Sequence, residues 1–394
     1  MKTRIASSTH GRRRLLLVAI CVSVGVGALA VQALGSFGPA KHFAAGPSDA
    51  VAVGNFNRDS HLDLVVLGAS EGSGSTRWIA DVAVLSGKGA GDFGKARHFA
   101  AGDFPNAVAV GKLNGDRNPD LAVANFQSSD VSVLLGNGSG GFRVAKNFPV
   151  SSHPNSVAIG NLNGDSRRDL VVTNDNANNV SDVSVLLGNG DGTFGAATNF
   201  AVGKFPRAVA IGRLNGDSHP DVAVANRISD NVSILLGRGD GTFRAARNFA
   251  AGNGPTSIAV GSLNSDPSPD LATANYNSNN VSVLLGRGDG SFGKAKNFAV
   301  GIHPTSVAIG NLNGDSHRDL AVTNQNSDNV SVLLGNGKGF FGTATGYPLR
   351  PRPANPQSVA IGNFNVDTKP DLAVATEGSK GVSILLSRGP ARAP

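Results

Sequence analysis

Gly54-Asn55-Phe56-Asn57-Arg58-Asp59-Ser60-His61-Leu62-Asp63-Leu64 is the first of seven copies of one phrase. The others begin at Gly111, Gly160, Gly212, Gly261, Gly310 and Gly362, so successive copies start 57, 49, 52, 49, 49 and 52 residues apart. That period is the length of one four-stranded propeller blade, not of a helical or leucine-rich unit. The expected fold is all-β: a seven-bladed β-propeller of four-stranded antiparallel blades.

The third copy shows the blade best. Ser156-Val157-Ala158-Ile159-Gly160 reads as a first strand, the Asn/Gly/Asp phrase as a tight loop, and Leu170 to Thr173 as a second strand. Val183 to Leu187 makes a third strand, and Gly188-Asn189-Gly190-Asp191-Gly192 supplies the positive φ angles of a hairpin. A fourth strand is expected from Phe194 to about Phe200. Apolar residues on both faces of runs such as Val131-Ser132-Val133-Leu134-Leu135 fit sheets covered on both sides by neighbours.

The chain ends complement each other. The last copy stops at Val382-Ser383-Ile384-Leu385-Leu386 with Arg388-Gly389 beyond, and no Phe-containing fourth strand follows. A matching segment, Phe37-Gly38-Pro39-Ala40-Lys41-His42-Phe43, precedes the first copy instead. Strand 37–43 is therefore expected to complete blade seven, 356–387, closing the ring and removing its free sheet edges.

Residues 1–30 differ in kind. Arg12, Arg13 and Arg14 precede an apolar run from Leu15 to Ala30, and small residues follow, as in a secretory signal peptide. The run of 16 residues is short for a membrane span. The expected organisation is a signal peptide, 1–30, and a single propeller, 31–394, secreted to the exterior or cell envelope, monomeric and without stable membrane insertion after cleavage. The formal charge of +7 falls to +2 once Lys2, Arg4, Arg12, Arg13 and Arg14 are set aside, which gives no support to a nucleic-acid partner. The one cysteine, Cys21, lies in the same apolar run, so the remainder has no thiol chemistry.

The Phe-Gly pairs at Phe37-Gly38, Phe93-Gly94, Phe194-Gly195, Phe292-Gly293 and Phe341-Gly342, together with the Asn-x-Asp-x-x-x-Asp loops, resemble the FG-GAP repeats of the integrin α-chain propeller and the related VCBS repeats. The resemblance covers essentially all of the chain after the leader. It implies the fold and leaves function open, because such propellers include adhesion receptors, lectins and parts of polysaccharide-active enzymes.

In that family the loop is similar to an EF-hand calcium loop, with oxygen ligands at positions 1, 3, 5 and 9 and a backbone carbonyl at 7. Carried over, the resemblance implies metal loops at Asn55, Asn57, Asp59 and Asp63; at Asn161, Asn163, Asp165 and Asp169; at Asn311, Asn313, Asp315 and Asp319; and at Asn363, Asn365, Asp367 and Asp371. The other loops begin with Lys112, Arg213 and Ser262, which departs from the pattern. Calcium bound by so few carboxylates is expected to be weak, about 0.1 to 1 mM. The same Asn and Asp residues also serve as Asx turns without any metal.

Arg238-Gly239-Asp240 and Arg287-Gly288-Asp289 fall in the third hairpin turn and are explained by substitution within the repeat. Histidines are scattered over several repeat positions, and neither a serine-nucleophile nor a zinc motif is present, so catalysis has little support. Departures from the repeat point instead to binding. One is the loop from Ala69 to Ala80, with Arg77 and the sole tryptophan, Trp78; the other is Tyr347-Pro348-Leu349-Arg350-Pro351-Arg352-Pro353-Ala354-Asn355. Closure puts both on one face of neighbouring blades, so Trp78, Arg77, Tyr347, Arg350 and Arg352 are the candidate partner-binding residues. Phe104, His153, Phe205 and His303, each before a proline, are expected around the same face. The sequence thus reads as a secreted, non-enzymatic binding or adhesion propeller for a glycan or protein. A carbohydrate-active enzyme or its accessory module is the alternative, and a structural envelope protein a third.

Overall fold

The computed structural model describes residues 36–71, 78–175 and 181–388. They form seven four-stranded antiparallel sheets. Blade one runs Ser48–Gly54, Asp63–Glu71, Trp78–Leu85 and Arg97–Ala100, and blade three runs Pro154–Gly160, Asp169–Asn174, Asp182–Leu186 and Thr198–Ala201. First strands touch first strands around a closed ring, from Ser48–Gly54 through to Pro356–Gly362 and back. The only helical element among the described residues is one 3-10 turn, Gln325–Ser327.

Blade seven is completed by the other end of the chain. Lys41–Ala44 pairs antiparallel with Gly381–Leu385, placing Phe43 opposite Val382 and Lys41 opposite Ile384. Ser36–Phe37 pairs with Ser387–Arg388. The expected single strand 37–43 is therefore two short pairings, and the other blades repeat the pattern. In blade three Phe194 bridges Gly188, while the strand proper starts with Thr198 opposite Val185. The outer chain fits one residue more into that interval than its partner does, which is a β-bulge that ends the continuous ladder.

Packing explains why each blade needs the next. The buried apolar residues fall into seven clusters, each drawn from two adjacent blades, such as Leu113, Ala122 and Val133 with Val157, Leu170 and Phe194. Each interface carries an edge-to-face aromatic pair joining the outer strand of one blade to the phenylalanine at the Phe-Gly position of the following one, which in blades two and four is Phe-Arg. Phe148 meets Phe194 at 5.3 Å, Phe249 meets Phe292 at 5.4 Å, and Phe43 meets Phe93 at 5.4 Å across the closure. Such pairs contribute about 0.5–1.5 kcal/mol beyond their buried area.

Tyr347 is the aromatic of this kind in blade six. It lies in the outer strand Thr345–Pro348 opposite Val330 and meets Phe37 edge-on. Tyr347 therefore does not begin the expanded connection; it packs the sixth interface, and burial raises its phenol pKa.

Candidate functional site

Two faces carry the loops, and the repeated Asn/Asp phrase occupies one of them. Its last aspartate is fully buried in every blade. In blade three, Asp169 Oδ2 accepts the Leu162 N–H at 2.6 Å and Oδ1 accepts the Gly188 N–H at 2.8 Å. Asp63, Asp120, Asp221, Asp270, Asp319 and Asp371 make the same two bonds in their blades. Burial pushes these carboxyls up, and the two backbone donors oppose that shift. Each aspartate thus staples its loop to the third hairpin. A Cβ on Gly188 would lie 2.1 Å from the Arg168 carbonyl oxygen, so this close approach requires glycine.

The middle of the loop is an Asx turn. Asn163 Oδ1 accepts the Asp165 N–H, and Asp165 Oδ1 accepts the Arg167 N–H at 2.9 Å. The same exchange links Asn57, Asp59 and His61; Asn313, Asp315 and His317; and Asn365, Asp367 and Lys369. Position 1 divides the four Asn-headed loops. Asn161 and Asn311 accept the N–H of Gly164 and Gly314, each at 2.8 Å. In the other two loops the glycine is replaced by Arg58 and Val366, and the buried side-chain oxygens of Asn55 and Asn363 have no partner. Those two orphaned oxygens are hard donors and fit a calcium ion; the oxygens of Asn161 and Asn311 are already in use. Among the described residues no group of three or more His, Cys, Asp or Glu could hold a metal.

The opposite face carries both expanded loops. In blade one the second hairpin is lengthened by Ala69 opposite Ala80, Ser70 opposite Ile79 and Glu71 opposite Trp78. Arg77 lies outside the described residues, and of Trp78 only the backbone is described. In the connection to blade seven, Leu349 and Ala354 are fully buried anchors. Asp328 clamps them, its carbonyl accepting the Leu349 N–H and its carboxylate the N–H groups of Ala354 and Asn355. Arg350 and Arg352 are thereby held exposed at the tip.

At the centre of this face lies a feature the sequence reading missed. Each first strand has a register shift just after its opening residue, between Pro154 and Ser156 in blade three. The residues at the shifts are Asp49, Asn106, Asn155, Arg207, Thr256, Thr305 and Gln357, and all seven line one central cavity of about 350 Å³. A bulge turns a side chain out of the sheet's alternation, and here it does so once per blade toward the axis. One signal was available: this position holds five residue types in seven copies, whereas the Val-Ala or Ile-Ala steps that follow hardly vary.

A second ring follows the second strands, and Arg227, Tyr276 and Gln325 reach the same cavity. The Tyr276 hydroxyl donates to Gln325 Oε1 at 3.0 Å. Its ring lies between the Arg227 guanidinium, 4.8 Å from the centroid, and His303, stacked at 4.2 Å. Phe126 packs on His153 at 4.7 Å and on Phe104 at 6.2 Å. Phe104, His153, Phe205 and His303 all have φ between 54° and 58°, a left-handed conformation costly for such residues. Phe104 is 50% exposed.

The cavity is polar and charged on two sides. Arg207 donates from Nη1 to Asn155 Oδ1 at 2.9 Å, and burial followed by the charge of Arg227 lowers its pKa. The Asp49 carboxyl is pushed up to about 6 by burial and by Glu377, against the pull of Arg207. Gln357 donates to Glu377 at 2.8 Å, and Asn106 to Asn155 at 3.2 Å. No helix among the described residues is long and apolar enough to cross a membrane.

The FG-GAP-like repeat family matches the chain over residues 112–172, 161–224, 213–273, 262–322 and 311–374, more than half of its length. No curated protein matches significantly. Among solved structures, the chain is similar to a catalytically inactive virginiamycin B lyase from Staphylococcus aureus, at 11% identity and TM-score 0.59, covering 89% of this chain and 99% of that one. An Agrocybe aegerita lectin recognising non-reducing terminal N-acetylglucosamine aligns at 16% identity and TM-score 0.55, covering 89% and 87%. A periplasmic gluconolactonase of Pseudomonas aeruginosa aligns at 16% identity and TM-score 0.58, covering 77% and 85%. At these identities the likenesses speak to the fold alone. The repeat match, the seven blades and their closure through residues 36–44 make this chain a member of the FG-GAP-like repeat family.

Proposed function

We propose that the protein is a secreted, non-enzymatic binding propeller that recognises a glycan at the central cavity of the expanded-loop face. The carrying observation is the ring of seven bulged residues, which gathers amides and hydroxyls from different blades into one concave site. Amides and hydroxyls both donate and accept, as the hydroxyls of a sugar do, and the half-exposed Phe104 offers an apolar plane on the same face. The exposed Arg350 and Arg352 extend the surface that a longer glycan or a protein partner would meet. Export is proposed from the leader in 1–30. Weak calcium binding is proposed for the two loops headed by Asn55 and Asn363, whose side-chain oxygens are open donors.

The alternative is a carbohydrate-active enzyme, favoured by one observation: an aspartate in the same cavity as an arginine, its carboxyl raised toward neutrality. A glycan array run beside a polysaccharide-degradation screen separates the two. Retention of a glycan without turnover, lost in Asn155→Ala and Tyr276→Ala, is expected. Turnover abolished by Asp49→Asn would replace binding with catalysis, and retention unaffected by both cavity variants would move the site elsewhere.

A further inference from the structure

Arg207 and Arg227 line the same cavity, and no carboxylate among the described residues lies within ion-pair distance of either. Arg227 makes no side-chain hydrogen bond there, only its contact over Tyr276, and Arg207 uses one N–H on Asn155. Their other side-chain N–H groups have no acceptor among the described residues. Two guanidiniums in one concave site repel each other, and crowding by protein adds a desolvation cost. Asp49 and Asp175 act on Arg207 only through space, without a direct bond. In a settled structural role each arginine would be expected to carry its own carboxylate, and here neither does.

From this geometry we infer that the cavity binds an anionic group, a carboxylate or phosphate carried by the ligand, held between Arg207 and Arg227. The guanidinium fork suits either oxyanion, because two parallel N–H donors match two oxygens. The amide of Gln325 and the Thr256 hydroxyl then contact the neutral part of the same molecule. As a statement about an acidic glycan this rests on the glycan reading above; the anion-binding step itself does not. Asp49 lies at the same cavity, so losing its negative charge favours the anion.

The test is calorimetric titration of the propeller with sodium glucuronate, glucose and inorganic phosphate at low ionic strength. Glucuronate is expected to bind at least ~tenfold more tightly than glucose, and Arg207→Gln and Arg227→Gln are each expected to weaken it by ~tenfold or more. Lys204→Gln, which removes an exposed cation of the same face outside the cavity, should leave affinity unchanged. The Arg227 side chain makes no hydrogen bond to the described residues, so Arg227→Gln decides the matter if Arg207→Gln fails to fold. Phosphate binding that needs both arginines, without glucuronate binding, upholds the anion site and sinks the acidic glycan. Equal binding of glucose and glucuronate, indifferent to both arginines, overturns the anion site and leaves the glycan reading standing. No binding of either anion overturns the inference.

Discussion

The ring of Phe37 stands edge-on to that of Tyr347, with centroids 5.2 Å apart and planes at 80°. This contact joins the N-terminal segment to blade six, while the neighbouring pairing with Ser387 joins the same residue to blade seven. Phe37→Ala is expected to cost about 3 kcal/mol or more of stability, as for a buried phenylalanine. A double-mutant cycle with Tyr347→Ala should return about 1 kcal/mol of coupling in chemical denaturation. Zero coupling would mean that the two rings do not act together in the closed ring.

Val366 sits at φ 63° in the loop of blade seven, where four other loops place glycine. It is 63% exposed, so its removal loses little burial. Val366→Gly should stabilise the fold by about 1 kcal/mol, the left-handed cost of a β-branched residue less the entropy that glycine adds to the unfolded chain. Arg58, at φ 62°, should not gain in the same way, because its Nε donates to Asn118 Oδ1 of blade two at 2.8 Å. Thermal melts of Val366→Gly and Arg58→Gly side by side test the contrast.

Asp169→Ala leaves the buried N–H groups of Leu162 and Gly188 without acceptors, and each unsatisfied donor costs about 1–3 kcal/mol. A loss of about 3 kcal/mol or more is expected, equal in excess chelator and in ~10 mM calcium. The calcium response should reside elsewhere. A rise in Tm with millimolar calcium is expected for the parent and should be lost in the Asn55→Ala, Asn363→Ala double variant. A parent whose Tm is the same under both conditions has no calcium-linked loops.

Asp49 binds its proton more tightly folded than unfolded, since its carboxyl rises from 3.8 to about 6. Between those values the native state holds more protons than the unfolded chain, so stability falls as pH rises through this window and levels off above it. Solvent access at the cavity leaves about 1–2 kcal/mol of that effect. Asp49→Asn should remove the slope and be the more stable protein at pH 7. Denaturation midpoints from pH 4 to pH 8 check the sign, and a parent that gains stability across the window contradicts it.

Blade number, blade length and closure were legible because they follow from counting: seven phrases, one spare segment before them and one missing strand after them. Four features were not. The paired bulges need one residue more than the alternation shows, and Gly195 to Ala197 look like ordinary strand residues. Asp169 is the same residue type whether it meets a cation or two backbone donors, so the phrase alone does not separate ligand from staple. Tyr347 replaced the phenylalanine of other outer strands next to an expanded connection, and that change of residue type made a packing residue read as a surface one. The central cavity was visible only as variation within a constant phrase, at Asp49, Asn106, Asn155, Arg207, Thr256, Thr305 and Gln357.

Those seven bulges also make the site modular. Each blade contributes one letter at an equivalent backbone position, and the hydrophobic seams between blades are formed by other residues. Exchange at one letter changes the chemistry of the cavity wall while the seams stay intact. Duplicated repeats can therefore diverge at the axis without disturbing their walls, and a library randomised at these positions varies the cavity on a scaffold whose hydrophobic seams are unchanged.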